Sequence, residues 1–250
     1  MVTPDDLAGK VAFVTGGSRG IGRGIALKLA QAGADILINY LEREDSAWEV
    51  VEWIRGLGRK AHAIRADVAQ EPEVERMIAE AQTRFDRLDI FVNNVGPFKM
   101  KRVADMAPED WKLMIDGNLN SAFYCVRHVV PIMRAQKEGI IIFIGAPNAE
   151  RVSSAFETCA YSIAKTGVVI LAQTVAREEA ANGIRANVVN PGFIENDAMT
   201  PSKREWMPRE VPLNRVGSPA DIGDAVLFLA SPRASYVNGS VMNVHGGLWI

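Results

Sequence analysis

The stretch Val11–Gly22 reads V-A-F-V-T-G-G-S-R-G-I-G and runs directly into the amphipathic segment Ile21–Ala32. The apolar run predicts a buried strand over Val11–Thr15, and the glycines end it. Gly16, Gly20 and Gly22 stand in the spacing G-x-x-x-G-x-G between strand and helix. Glycines there let the backbone turn tightly and approach a pyrophosphate, whose charge rests on the positive end of the following helix. The first unit of the chain therefore reads as a dinucleotide cradle formed by Gly16, Ser18, Arg19, Gly20, Ile21 and Gly22.

Outward from this unit, short apolar runs alternate with longer amphipathic ones to the end of the chain. Strands are expected over Val11–Thr15, Asp35–Asn39, Ala61–Arg65, Ile90–Asn93, Ile140–Ile144, Arg185–Asn190 and Val241–Val244. Helices are expected over Ile21–Ala32, Ser46–Leu57, Pro72–Phe85, Pro108–Met133, Ala160–Ala180 and Ser218–Leu229. The last opens S-P-A-D, with Ser218 as N-cap, Pro219 at the first helical position and Asp221 as an acidic third residue. Several strands are apolar on both faces, as parallel strands covered by helices on two sides must be. The fold class is α/β: one Rossmann-type domain over residues 1–250, a doubly wound parallel sheet with helices on both faces. Only Phe193–Leu213 lacks a clean period. Its prolines, Met199, Trp206 and Met207 read as a substrate lid over residues 193–213.

Bulk properties exclude other classes. With 48% hydrophobic and 23% charged residues the composition is globular, and a net charge of −2 offers no nucleic-acid surface. No apolar run approaches the ~20 residues of a membrane span, and the first residues lack a signal-peptide pattern. A cytoplasmic protein with no membrane partner is expected. Cys125 and Cys159 read as buried free thiols, Trp48 and Trp53 as packing residues. His62, His128 and His245 show no ligand grouping, so no metal is expected.

The second strand bears on the choice of dinucleotide. A preference for NAD usually places an acid at its end, to take the ribose 2′-hydroxyl. Here Asn39 and Tyr40 occupy that position and Glu42 lies slightly beyond, while Arg19 sits inside the glycine loop and Arg43 follows the strand. Two guanidinium groups suit a 2′-phosphate, which favours NADP(H) over NAD(H).

A further set of motifs follows in order: D-V at Asp67–Val68, N-N-V-G at Asn93–Gly96, N-L at Asn118–Leu119, Y-S-I-A-K at Tyr161–Lys165 and N-P-G at Asn190–Gly192. With T-G-G-S-R-G-I-G at Thr15–Gly22, the chain resembles the short-chain dehydrogenase/reductase family over nearly all its length. Its nearest likeness is to 3-oxoacyl-(acyl-carrier-protein) reductase-like members. The resemblance implies that Asp67 and Val68 hold the adenine, that Asn94, Val95 and Gly96 line the middle of the cofactor channel, and that Pro191, Gly192 and Ile194 face the nicotinamide. It also implies a homotetramer, with Leu248, Trp249 and Ile250 suited to burial against a neighbour.

Ketone reduction needs a hydride and a proton for the developing alkoxide. A free phenol has a pKa of ~10, so Tyr161 needs help at neutral pH. Lys165, one turn along the same helix, is expected to place a positive charge near Tyr161 and favour the phenolate. The resemblance gives Lys165 a second role on the nicotinamide ribose and makes Asn118 the holder of a relay water. One member of the family's catalytic set is absent. Its serine lies just past the fifth strand, where one alignment places Ala146 and another Asn148. The Asn148 amide can donate to an oxyanion; Ser153 and Ser154 on the same loop are further candidates. The expected activity is NADPH-dependent reduction of a 3-oxoacyl thioester or another ketone. Pteridine or enoyl reduction on the same scaffold, with Glu150 as an acid near the loop, is an alternative. So is a catalytically silent NADP-binding protein.

Overall fold

The computed structural model describes residues 6–197 and 199–248. Along β1 (Val11–Val14) every side chain is buried, and successive residues face opposite ways. Ala12 and Val14 enter one hydrophobic cluster, Val11 and Phe13 the other. The same alternation marks β5 (Gly139–Ile144), where Ile142 and Ile144 face one cluster and Ile141 and Phe143 the second. A strand buried on both faces needs helices above and below, which is why these runs read as continuously apolar. On the second face the Phe13 and Phe91 rings meet edge-on at 5.9 Å. Such a pair contributes about 0.5–1.5 kcal/mol beyond the burial of its area.

The remaining strands are β2 (Asp35–Tyr40), β3 (Ala61–Arg65), β4 (Ile90–Asn93), β6 (Ile184–Pro191) and β7 (Val241–Val244). All pairings are parallel, in the order β3-β2-β1-β4-β5-β6-β7. The chain winds one way from β1 to β3 and the other way from β4 onward. The crevice beyond the carboxyl ends of β1 and β4 is thus the topological switch point, where open α/β sheets bind ligands.

The helices are α1 (Gly20–Gln31), α2 (Glu44–Gly56), α3 (Glu71–Arg84), α4 (Pro108–Ile115), α5 (Ser121–Gln136), α6 (Cys159–Glu178), α7 (Pro201–Glu210) and α8 (Pro219–Ala230). Helix α8 starts at the expected capping box: Ser218 accepts from the Asp221 N–H and Asp221 accepts from the Ser218 N–H. Helix α6 is apolar and long enough to cross a bilayer, but it packs on β5 and β6 as a core helix.

Four expectations need correction. The single helix over Pro108–Met133 is two, because Asp116–Asn120 widens into a π-helical turn. Asn118 donates to the carbonyls of Met114 and Pro97 there, at 2.9 and 3.0 Å, and so holds the widened turn against the β4 loop. Within Phe193–Leu213 the chain forms α7, capped by Thr200 and begun by Pro201. The helix buries none of its own residues, so it left no apolar period to read. Cys125 is buried but Cys159 only partly so. Trp48 packs edge-on against His62, whereas Trp53 stands 40% exposed. The expectation for Trp249 and Ile250 lies outside the described residues.

Candidate active site

The cradle after β1 is stitched to the loop after β4. Thr15 Oγ1 accepts from the Asn94 N–H at 2.9 Å, and Asn94 Nδ2 donates to the Thr15 carbonyl at 2.9 Å. Gly16 and Gly20 take positive φ, 63° and 52°, which side chains other than glycine resist. A Cβ on Gly22 would overlap the Gly16 carbonyl, so loop and helix meet at a distance only glycine allows. Helix α1 opens with no side-chain cap and no acid in its first turn. Its first N–H groups and its dipole thus face the crevice without a competing negative group, which fits a phosphate. Ser18 is buried within the loop, and Arg19, at the N-cap, is exposed.

At the end of β2 the structure separates the expected residues. Asn39 is buried; its Oδ1 accepts from the Gly16 N–H at 3.3 Å and its Nδ2 donates to the Ala66 carbonyl at 2.9 Å. It braces the cradle from behind, with no donor left for a ribose. The Tyr40 ring is buried in the core beside α2, where burial and Glu44 push its pKa up. Leu41, Glu42 and Arg43 are the exposed residues of this edge, and Arg19 and Arg43 make no ion pair among the described residues. Asp67 accepts from the Ala69 N–H at 3.0 Å in the turn after β3, and Val68 is buried.

Deeper in the crevice, Asn118, Lys165 and Gly96 converge. Asn118 is fully buried, and its Oδ1 has no hydrogen-bond partner among the described residues. A Cβ on Gly96 would overlap that oxygen and lie 3.0 Å from Lys165 Nζ. The glycine therefore leaves open a small polar space between an orphaned acceptor and an ammonium. A water or a ligand hydroxyl fits there, as the relay expected of Asn118 requires. Lys165 Nζ donates to the Ile144 carbonyl at 2.8 Å and lies 5.9 Å from the centre of the Tyr161 ring. Burial lowers its pKa to about 8.

Tyr161 departs from expectation. Burial raises its pKa to about 12, with no compensating effect of Lys165. The ammonium is turned toward the end of β5, so Tyr161 stays a protonated phenol at neutral pH. The exposed Phe98 ring packs edge-on against Tyr161 at 4.9 Å.

The β5–α6 loop carries Ala146 and Asn148, the two alternatives for the position of the missing hydroxyl. Ala146 stands two residues past the end of β5, after Gly145, and is buried among apolar side chains. The Ala149 N–H donates to the Ala146 carbonyl at 3.1 Å across Pro147 and Asn148, and Asn148 has φ 56°. Proline first and a left-handed asparagine second mark a type II turn. The Asn148 amide has no protein partner among the described residues, while Ser153 and Ser154 are exposed. On the far side of the cleft Pro191 and Ile194 are buried, Gly192 is half-buried, and Phe193 packs edge-on against Trp206 of α7 at 5.5 Å.

A network not foreseen from the sequence lies beneath the loop. Glu150 accepts from Asn190 Nδ2 at 2.8 Å and from Asn243 Nδ2 at 3.0 Å, and Asn190 Nδ2 also donates to Asn243 Oδ1 at 3.1 Å. These amides hold the Glu150 carboxyl below its usual range against the opposing effect of burial. The one available signal was Asn190 in N-P-G; the others sit 40 and 53 positions away from it.

Comparison with known proteins places this geometry. Residues 16–249 match a family model described as enoyl-(acyl carrier protein) reductase. The chain is 40% identical to the 3-oxoacyl-(acyl-carrier-protein) reductase FabG of Staphylococcus epidermidis, over 96% of this chain and 99% of that one. A short-chain dehydrogenase from Burkholderia cenocepacia, solved with NADP, superposes with a TM-score of 0.89 at 31% identity, over 97% of this chain and 99% of that one. A blue fluorescent protein from a metagenomic library, solved with NADPH, gives 0.89 at 33%, over 98% of this chain and all of that one.

Proposed function

The chain belongs to the short-chain dehydrogenase/reductase family of oxidoreductases, and from that premise we propose that it reduces a carbonyl group with NADPH, Tyr161 donating the proton. The observation that carries the reading is the convergence of Asn118, Lys165 and Gly96 one helical turn from Tyr161, beside the switch-point crevice. NADPH, when bound, supplies the hydride. The cradle Gly16–Gly22 would hold its pyrophosphate, Arg19 and Arg43 its 2′-phosphate, and Asp67 and Val68 its adenine. Asn94, Val95 and Gly96 would flank its middle, and Pro191, Gly192 and Ile194 its nicotinamide.

Each residue's task follows from its surroundings. A phenol with its pKa raised to about 12 is fully protonated at pH 7, so Tyr161 is loaded for the reductive direction. It gives that proton up only to a stronger base, such as a forming alkoxide. Lys165 then stands near the new phenolate as a cation, and the Asn118 oxygen can hold the water that returns a proton. At the substrate oxygen the Asn148 amide is the free donor nearest the missing hydroxyl in sequence. The sequence and structural relatives support the 3-oxoacyl thioester class and NADPH.

The test is NADPH oxidation against a panel of ketones, 3-oxoacyl thioesters and enoyl thioesters, with Tyr161→Phe as the blank. Turnover should fall about 10²-fold or more in the variant while NADPH still binds. Equal turnover in both proteins would remove Tyr161 from the mechanism. A second reading, reduction of a conjugated C=C bond, draws support from the buried, hydroxyl-free Ala146; the panel's enoyl thioesters address it. A pteridine-type site would need a free acid in the loop, and both Glu150 oxygens are engaged. Exposed Trp111, Phe123, Ile163 and Ile170 on α4 to α6 support a homo-oligomer, measurable by light scattering.

A further inference from the structure

We propose that Glu150 is a positioning residue that, through Asn190 and Asn243, holds the turn carrying Asn148 at the end of β5, where the family's hydroxyl is missing. The inference rests on the reductase reading given above and names the device that keeps its oxyanion side ordered without a serine.

The turn has two ends. Ala146 fixes the first by burial next to the strand. At the second, Ala149 is buried, Glu150 is half-buried and Arg151, Val152, Ser153 and Ser154 are exposed. Without an anchor at Glu150, the exposed run that follows would leave the turn free to swing. The anchor is specific. Asn190 and Asn243 are register partners on β6 and β7, and each presents an Nδ2 to a different Glu150 oxygen. Asn190 is fully buried and is followed by Pro191 and Gly192, so the tether joins the loop to the segment expected at the nicotinamide. A carboxylate is suited to this place because it accepts from both amides at once. A glutamine there would turn one N–H pair toward an asparagine N–H pair unless that asparagine rotated. The backbone adds its own preference: Asn148 tolerates the left-handed conformation that the turn requires.

The experiment compares Glu150→Ala and Glu150→Gln with the wild type in kcat, KM, NADPH affinity and amide hydrogen exchange of residues 145–152. Glu150→Ala should lower kcat by about 10- to 10²-fold, below the ~10²–10³-fold of an oxyanion donor removed outright, and change NADPH affinity less than about threefold. Loop exchange should quicken. Glu150→Gln should recover much of the loss, because one acceptor remains and an amide can rotate to meet the other group. Should Glu150→Ala fail to fold, Asn243→Ser removes one arm only and should lower kcat several-fold in the same direction. Wild-type kcat in Glu150→Ala overturns the proposal. So does a parallel loss of kcat, NADPH binding and global stability that Glu150→Gln shares. If the wild type reduces nothing on the panel, the reductase reading fails separately. Exchange alone then decides whether Glu150 holds the loop, and an unchanged loop in Glu150→Ala refutes it.

Discussion

Lys165 Nζ donates to the carbonyl of Ile144 at 2.8 Å, tying the helix that carries Tyr161 to the last residue of β5. The ammonium is buried, and among the described residues no carboxylate pairs with it. Its charge is therefore held at a penalty, seen in the fall of its pKa from 10.5 to about 8. A cation kept without a counter-ion beside an orphaned acceptor is a poor device for stability and a suitable one for chemistry.

That penalty should be measurable without any substrate. Between pH 8 and 10.5 the unfolded chain keeps its Lys165 proton while the folded chain loses it, so stability gains with rising pH through that window. At pH 7 both states are charged and the full penalty, at most roughly 3 kcal/mol, opposes folding. Lys165→Met removes it. In urea denaturation the advantage of Lys165→Met over wild type should be largest at pH 7 and shrink from pH 8 upward. Tyr161, raised to about 12, acts in the opposite sense only above pH 10. A difference that stays constant from pH 7 to 10 would contradict the assignment.

Asn118 has a structural role through Pro97 and Met114 and, in the proposed mechanism, a relay role, and two substitutions separate them. Asn118→Ala leaves the Pro97 and Met114 carbonyls without their donor, at about 1–3 kcal/mol of stability. Asn118→Asp keeps the volume but cannot donate when ionised, and should be at least as damaging. Both should lower turnover by more than they weaken NADPH binding. Full turnover in a folded Asn118→Ala would show that no relay passes through this side chain.

Gly22→Ala places a Cβ against the Gly16 carbonyl, a backbone atom that cannot swing aside. The loop and α1 must separate, costing about 1–3 kcal/mol. The first helical N–H groups then retreat from the pyrophosphate. Fluorescence titration should show NADPH affinity reduced at least tenfold, with Tyr161-dependent chemistry intact at saturating cofactor.

Arg19 and Arg43 should discriminate the two dinucleotides. A charge-assisted hydrogen bond contributes about 1.5–3 kcal/mol, so Arg43→Ala or Arg19→Ala should weaken NADPH roughly 10- to 10²-fold. NADH affinity should change little. Equal losses for both dinucleotides would mean that neither guanidinium reads the 2′-phosphate and that Glu42 takes the ribose.

All seven strands were legible, each to within one residue at either end, because the double burial of parallel strands writes itself as unbroken apolar runs. The glycine cradle and the Tyr161–Lys165 pair were legible for a related reason: each is local, and its spacing within one turn or one loop carries its geometry. Helix α7 was not, since an exposed helix held by Thr200 and Pro201 leaves no apolar stripe. Nor was the π-helical turn at Asp116–Asn120, because it depends on carbonyls that Asn118 finds only after β4 and α4 pack together.

The sequence by itself determined the fold class, the glycine turn between β1 and α1 and the spacing of Tyr161 and Lys165 along one helix, all of which rest on neighbours in the chain. Tertiary structure decided the rest. It turned Asn39 and Tyr40 inward, so that the exposed Leu41–Arg43 edge meets solvent in their place. It raised the Tyr161 pKa where a nearby lysine had promised the opposite, because burial is a property of the whole packed crevice. And it joined Glu150 to Asn190 and Asn243, three polar residues that become neighbours only when β6 and β7 align beneath the loop. Hydrogen bonds between distant segments follow from the sheet's register, and register is settled by packing rather than by any one stretch of sequence.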